Sequence, residues 1–222
     1  SHFTKTYIDR TFGVNSKVIY PPVDIKNIIP GEKEKIILSV GRFGAGQLHP
    51  KKQEVLIEVF KEVSKKAKNW KLILIGQAKK EDAKYMRTLR KMAKGFAIKI
   101  IENSTYDDLM GYYSKASIYW HATGYGEDEQ KNPQKMEHFG ISTVEASASG
   151  AVPIVINKGG QKEIIQEGIN GYLWETKVEL FEKTLDLINN SQNMAMLSVE
   201  AIKNSKRFSQ ENFFKNYEKI IF

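Results

Sequence analysis

Cysteine is absent from the 222 residues, which excludes disulfides and thiolate metal sites and is compatible with a cytosolic setting without establishing one. Long apolar runs are absent too. No stretch approaches the roughly 20 residues a transmembrane helix needs, and the opening SHFTKTYIDR lacks the apolar core of a secretory signal. Histidine is scarce, and His2, His49, His121 and His138 share no metal-ligand spacing. No Asp-X-Asp pair occurs. There is no internal repeat, low-complexity tract or Pro/Gly/Ser linker, so a single domain over 1–222 is expected, with a leading segment over about 1–22 and a helical tail over about 178–222.

What the chain does contain is a basic excess, 34 Lys and Arg against 26 Asp and Glu for a formal charge of +8, and 41% hydrophobic residues, enough for a sizeable core. Such a field attracts phosphates, nucleic acid and anionic lipid alike. The lysines concentrate in KEVSKKAKNWK and KKEDAKYMRTLRKMAK, where interruptions at helical spacing read as solvated helix faces.

Short apolar runs alternate with amphipathic stretches. Strands are predicted over 36–40, 71–75, 97–101, 117–120 and 152–156, several apolar throughout, as in strands covered on both faces. Helices are predicted over 53–66, 81–93, 106–115, 142–149 and 160–166, with apolar residues three and four apart. Residues 1–20 read as a helix followed by a strand ending at Tyr20-Pro21-Pro22, and the chain from about Val178 onward as helix without further strands. The alternation predicts an α/β fold, a doubly wound parallel sheet of Rossmann-like type. In such sheets ligands lie beyond the carboxyl ends of the strands, where residues 41–42, 76–77, 121–124 and 157–160 fall. Gly41 and Gly76 both stand at such ends. Trp70, Trp120 and Trp174, each at or beside a strand pattern, are expected to pack in the core or at its edge.

Two segments carry chemistry. In SVGRFGAGQLHPKKQ a strand stops at Gly41, delivers Arg42 and, after a Gly-rich loop, Lys51 and Lys52. A guanidinium fork and a mobile ammonium suit a diphosphate, although loop cations are also ordinary surface features. The glycine spacing matches neither a dinucleotide fingerprint nor a phosphate-binding P-loop.

In EHFGISTVEASASGAVPIVINKGG, Glu137 and Glu145 flank Gly140 and a predicted helix start that Ser142 or Thr143 can cap. Within one ideal helix an eight-residue offset is about 80° of rotation, so the two carboxylates serve one ligand only if Glu137 precedes the helix. The alternative is an electrostatic cap at Glu137 and a structural ion pair at Glu145. His121, in WHATGYG, reads as a partly buried, hydrogen-bonded ring, with a ligand contact as the alternative. Residues 124–136 are charged and Pro-containing, a loop over the site or a surface insertion.

EHFGISTVE resembles the Glu-X7-Glu motif of retaining glycosyltransferases of the GT-B fold, family GT4 (glycosyl transferases group 1). VGRF…KKQEVLIEVF is similar to their phosphate-binding segment, and GAVPIVINKGGQKEII and EGINGYLW are similar to the family's stretches downstream of the Glu-X7-Glu motif. The resemblance runs in order through the whole chain. It implies the C-terminal, donor-binding half of a two-domain enzyme, with an N-terminal domain missing from this chain and the helices of 178–222 packing on that domain. It further implies that Arg42 and Lys51, with Lys52 as neighbour, hold the diphosphate. Glu137 would meet donor-sugar hydroxyls beside the backbone N–H groups of Phe139, Gly140 and Ile141, Val144 would line the nucleotide pocket, and Glu145 would accept the ribose hydroxyls.

The activity so implied is metal-independent sugar transfer with retention, without a cofactor, from a nucleoside-diphosphate sugar to a glycan or lipid-linked acceptor. The implied context is surface polysaccharide or glycoconjugate assembly, cytoplasmic, at the inner face of a membrane with peripheral association. This chain alone would transfer little sugar. A GT-B nucleotide-sugar epimerase is the nearer alternative. A basic nucleic-acid-binding domain is the remoter one, because the aromatics fall in strand and core patterns rather than along a cationic stripe, and no nucleic-acid partner is expected.

Overall fold

The computed structural model describes residues 1–44, 46 and 49–221; Ala45, Gln47 and Leu48, inside the Gly-rich loop after Gly41, and Phe222 lie outside the described residues. Apolar β-branched runs form the strands β1 (Glu34–Val40), β2 (Lys71–Gly76), β3 (Ile98–Glu102), β4 (Ala116–His121), β5 (Val152–Ile156) and β6 (Tyr172–Trp174). They make one parallel sheet in the order β3-β2-β1-β4-β5-β6. The chain winds outward from β1 to β3 and then returns to the other side of β1. The crevice between the carboxyl ends of β1 and β4 is therefore the switch point at which such sheets bind ligands.

Side chains alternate across the sheet, so its two faces carry separate cores. Leu72, Leu74 and Trp120 pack with Leu56 and Phe60 of α2 (Gln53–Lys66), Met86 and Leu89 of α3 (Ala83–Ala93) and Leu180 and Leu187 of α7 (Lys177–Asn189). Ile73, Leu38 and Tyr119 pack on the opposite face with Tyr113 of α4 (Tyr106–Lys115), Val144 and Ala146 of α5 (Ile141–Ala148), Ile164 of α6 (Gln161–Ile164) and Phe208. The leading helix α1 (His2–Phe12) and the tail helices α8 (Ser191–Ser205) and α9 (Gln210–Ile221) complete the chain. Trp70, Trp120 and Trp174 are all buried.

Three elements differ from the sequence pattern. No strand precedes Pro21; the backbone there pairs only through an isolated bridge between Val23 and Ser209, since two consecutive prolines lack ladder donors. β6 was not expected, because three residues between Gly171 and Glu175 are too few for a periodicity signal. The predicted helix over 160–166 stops at Ile164. There the Asn170 side chain accepts from the Gln166 N–H (2.7 Å) and donates to the Ile164 carbonyl (3.0 Å), turning the chain toward Gly168 at φ 72°.

The exits of β1 and β2 touch. A Cβ at Gly76 would lie 1.9 Å from the Gly41 carbonyl oxygen, and one at Gly41 would lie 2.8 Å from Cγ of Lys51, so both glycines keep the switch point closed enough for the loops to meet. At the opposite edge, the half-buried Lys33 ammonium donates to the carbonyls of Ser114 (2.9 Å) and Ser149 (2.5 Å), tying the ends of α4 and α5 together. Burial pushes its pKa down to about 8.

Gly76→Ala is expected to destabilise the chain by about 1–3 kcal/mol or more, read by urea denaturation, because the clash is with backbone that cannot step aside. For Lys33, the folded chain releases its proton at lower pH than the unfolded chain. This group therefore makes stability rise as pH climbs from about 8 toward the ordinary lysine value, and Lys33→Met should remove that rise in denaturation curves across the window.

Candidate donor-sugar site

Glu137 lies three residues before the Gly140 N-cap of α5, in a segment held by its neighbours rather than by its own secondary structure. The Gly160 N–H donates to the Glu137 carbonyl (2.8 Å). A Cβ at Gly159 would meet that same carbonyl oxygen at 2.3 Å, and one at Gly160 would meet the His138 carbonyl oxygen at 2.5 Å. From the other side, the Ser1 hydroxyl donates to the His138 carbonyl (2.5 Å), and the Tyr20 ring packs on Phe139 at 5.7 Å. Glu163 of α6 accepts from the N–H groups of His2 (2.8 Å) and Phe3 (2.7 Å) and from the Tyr20 hydroxyl (2.9 Å). The start of α1 is thus clamped across the segment that carries Glu137.

The Glu137 carboxylate meets two partners from other strands' ends. Lys51 Nζ lies 2.5 Å from its Oε2, and His121 Nε2 lies 3.1 Å from the same oxygen. Burial alone would raise the pKa of Glu137, but the hydrogen bond from His121 and the charge of Lys51 outweigh it and hold the carboxyl well below the usual carboxylate range. His121, buried at the end of β4, is itself pushed down by desolvation, so the neutral ring donates through Nε2. Its Nε2 also lies 3.2 Å from the Thr123 hydroxyl. The expected partly buried ring is therefore fully buried, and its partner is Glu137.

A second pair of imidazoles closes the same corner. His49 and His138 stand edge to face at 4.6 Å, and His49 Nδ1 lies 3.0 Å from the Met136 carbonyl oxygen, joining the loop after β1 to the Glu137 segment. Burial first, and His138 second, push the His49 pKa down.

Glu145 projects from α5 two turns on. Its Oε2 accepts from the buried Tyr113 hydroxyl (2.8 Å), and burial raises its pKa against that hydrogen bond. It makes no ion pair among the described residues, and the electrostatic-cap reading of Glu137 gives way to the Lys51 and His121 contacts. Neither Ser142 nor Thr143 caps α5. Its N-cap is Gly140 at φ 114° with no side-chain hydrogen bond, while the Ser142 hydroxyl is taken by Tyr119 (2.8 Å) and Thr143 is buried. The helix start thus keeps unpaired N–H groups and its positive dipole end.

The remaining candidates divide. Arg42 is exposed, makes no ion pair among the described residues, and lines a groove of about 590 Å³ whose other charged walls are Lys79 and Lys84 on one hand and Glu81 and Asp82 on the other. Lys51 folds over Gly41 toward Glu137. Lys52, in a left-handed conformation at φ 54°, turns instead to Glu127 (3.2 Å), which also pairs with Lys135 (2.8 Å), so it anchors the 124–136 loop rather than joining Lys51. Ile141 is half exposed at the helix start, Phe139 is buried against Tyr20 and Phe208, and Val144 is fully buried in the core that packs α5 on the sheet. Sequence reasoning did not find the Tyr113–Glu145 or His121–Glu137 contacts. Separations of 32 and 16 residues leave no local pattern to read.

The model of the family described as glycosyl transferases group 1 matches residues 23–208. A curated protein of Dictyostelium discoideum, GDP-Man:Man(3)GlcNAc(2)-PP-Dol alpha-1,2-mannosyltransferase, is 28% identical over 96% of this chain and 43% of its own length. The chain therefore spans less than half of that relative. The HepE protein of Anabaena, solved in complex with UDP-glucose, superposes with a TM-score of 0.77 at 21% identity over 100% of this chain and 62% of its own. The C-terminal domain of LpcC, a glycosyl transferase group 1 family protein of Francisella tularensis, does so with a TM-score of 0.66 at 23% identity, covering 87% of this chain and 97% of that domain. With its ordered motifs, its six-stranded parallel sheet and a family match over most of its length, this chain is a GT-B-type member of the glycosyl transferases group 1 family.

Proposed function

We propose that this chain forms the donor-binding half of a retaining, metal-independent glycosyltransferase that moves a sugar from a nucleoside diphosphate to a glycan or lipid-linked acceptor. One observation carries the reading: a carboxylate on Glu137, held ionised by Lys51 and by the buried His121, stands beside the uncapped N-terminus of α5 at the switch point of the sheet. The donor named for the Dictyostelium relative, GDP-mannose, and its lipid-diphosphate acceptor fit the same chemistry.

In this reading the diphosphate enters between Arg42 and the start of α5. It competes with Glu137 for the Lys51 ammonium. Lys51 then meets the charge that develops on the leaving nucleotide, and the helix N–H groups and Arg42 meet the remaining phosphate oxygens, all preorganised before the reaction begins. Released from Lys51 but still oriented by His121, Glu137 accepts hydroxyls of the donor sugar. Glu145, one oxygen held by Tyr113, has the other left for the ribose. The partner domain that completes the cleft and receives the acceptor lies outside this chain, which by itself binds donor and transfers little sugar. Site, donor and retention stand on the family resemblance together with this geometry.

Calorimetric titration of the chain with UDP, GDP, ADP and their common sugar conjugates tests this. One nucleotide is expected to bind selectively, and Arg42→Ala, Lys51→Ala and Glu145→Ala are each expected to weaken it by about 1–3 kcal/mol. Unchanged affinity in folded variants would refute those roles. His121→Ala should weaken the nucleotide-sugar more than the bare nucleotide, because it acts through Glu137. Since the Glu145 pKa is raised and the ribose needs the ionised acceptor, affinity should fall as pH is lowered through that raised value, and Glu145→Gln should abolish the step.

A further inference from the structure

From residue 83 to residue 101 the chain carries six cations and no acid. Most of it is α3. At 100° per residue, Lys84, Arg87, Lys91 and the following Lys94 fall within an arc of about 80°, and Met86, Leu89 and Ala93, which are buried, take the opposite face. The four cations are exposed, and none makes an ion pair among the described residues. Neighbours three and four apart on a helix lie closer than the screening length in physiological salt, so these like charges repel one another in the folded chain. A stripe that opposes its own fold calls for an anionic counterpart.

The surroundings choose which one. The turn after α3 exposes Phe96, with the Lys61 ammonium of α2 5.0 Å above its ring, so one apolar ring is set among cations on the surface. That combination fits headgroups above a bilayer. A nucleic acid strand would call for a groove with a series of stacking rings, and the other aromatic side chain of this helix, Tyr85, is half-buried and donates to Glu54 and to Gln53 (2.9 Å). The stripe also begins at the site. Lys84 lines the groove beside Arg42, so a surface bound along α3 lies next to the cleft.

We propose that the α3 face docks this chain on an anionic lipid bilayer. The choice of partner rests in part on the proposed lipid-linked acceptor, since an enzyme held at the surface that carries its acceptor needs no separate encounter in solution.

Co-sedimentation with phosphatidylcholine vesicles, with and without phosphatidylglycerol, tests this. The chain should bind only the anionic vesicles and should be released by salt. Arg87→Glu, Lys91→Glu and Lys94→Glu combined should lower that partitioning more than tenfold, with nucleotide affinity and melting temperature retained; Lys84, which lines the groove beside Arg42, is left unchanged. A charge-matched control reverses Lys17, Lys26 and Lys206, all exposed and elsewhere on the surface, and should lower it far less. Equal loss in the control would overturn the assignment to α3, showing attraction by net charge alone. Absence of vesicle binding, or salt-sensitive binding to generic RNA or DNA that the α3 variant abolishes while vesicles are ignored, would overturn the bilayer as partner. Nucleotide binding is scored separately on the same variants, so failure of the donor-site reading is read independently of failure at the membrane.

Discussion

A carboxylate drawn out of water must be met by a cation and hydrogen-bond donors, and at Glu137 both arrive from distant parts of the chain. Lys51 reaches it from the loop after β1, and His121 from the end of β4. Removing either leaves a largely buried charge short of partners, which is costly in proportion to the water it has lost. The contact joins residues from the two halves of the sheet across the switch point, where β1 and β4 already pair through their own backbone ladder.

Backbone packing makes this geometry attainable. Gly159 and Gly160 let the chain after β5 run directly beneath residues 137–139, and Gly41 and Gly76 bring the exits of β1 and β2 into contact. Side chains at those positions would push apart the segments that carry Lys51 and Glu137. Glu163 adds a second clamp, capping α1 and binding Tyr20, so the leading segment of the chain braces the Glu137 loop. Rigidity around the carboxylate is thus distributed over four separate stretches of sequence.

The two charged regions serve different ends. At the site, charge is buried, paired and oriented, and preorganised charge of this kind stabilises a leaving group. Along the α3 stripe Lys84, Arg87, Lys91 and Lys94 are exposed and make no ion pair among the described residues, and the field they make acts at the range of the screening length. The +8 excess is therefore unevenly used, with part inside the ion-pair lattice of Lys51, Lys52 and Lys135 and part presented to the outside.

The sequence by itself determined the sheet and its winding. Apolar β-branched runs alternating with helical periodicity suffice for α2, α4 and β5, which stand where the pattern places them, because local periodicity directly encodes which face is buried. The motif order also placed Glu137, Arg42 and Lys51 at the carboxyl edge. Tertiary structure decided which of them meet. That Lys51 turns to Glu137 while Lys52 turns to Glu127, that His121 is a buried donor to Glu137, and that Val144 belongs to the core are set by how loops far apart in sequence pack. The three-residue β6 and the early stop of α6 at the Asn170 turn were likewise hidden, being too short or too dependent on one side-chain hydrogen bond to leave a period in the sequence.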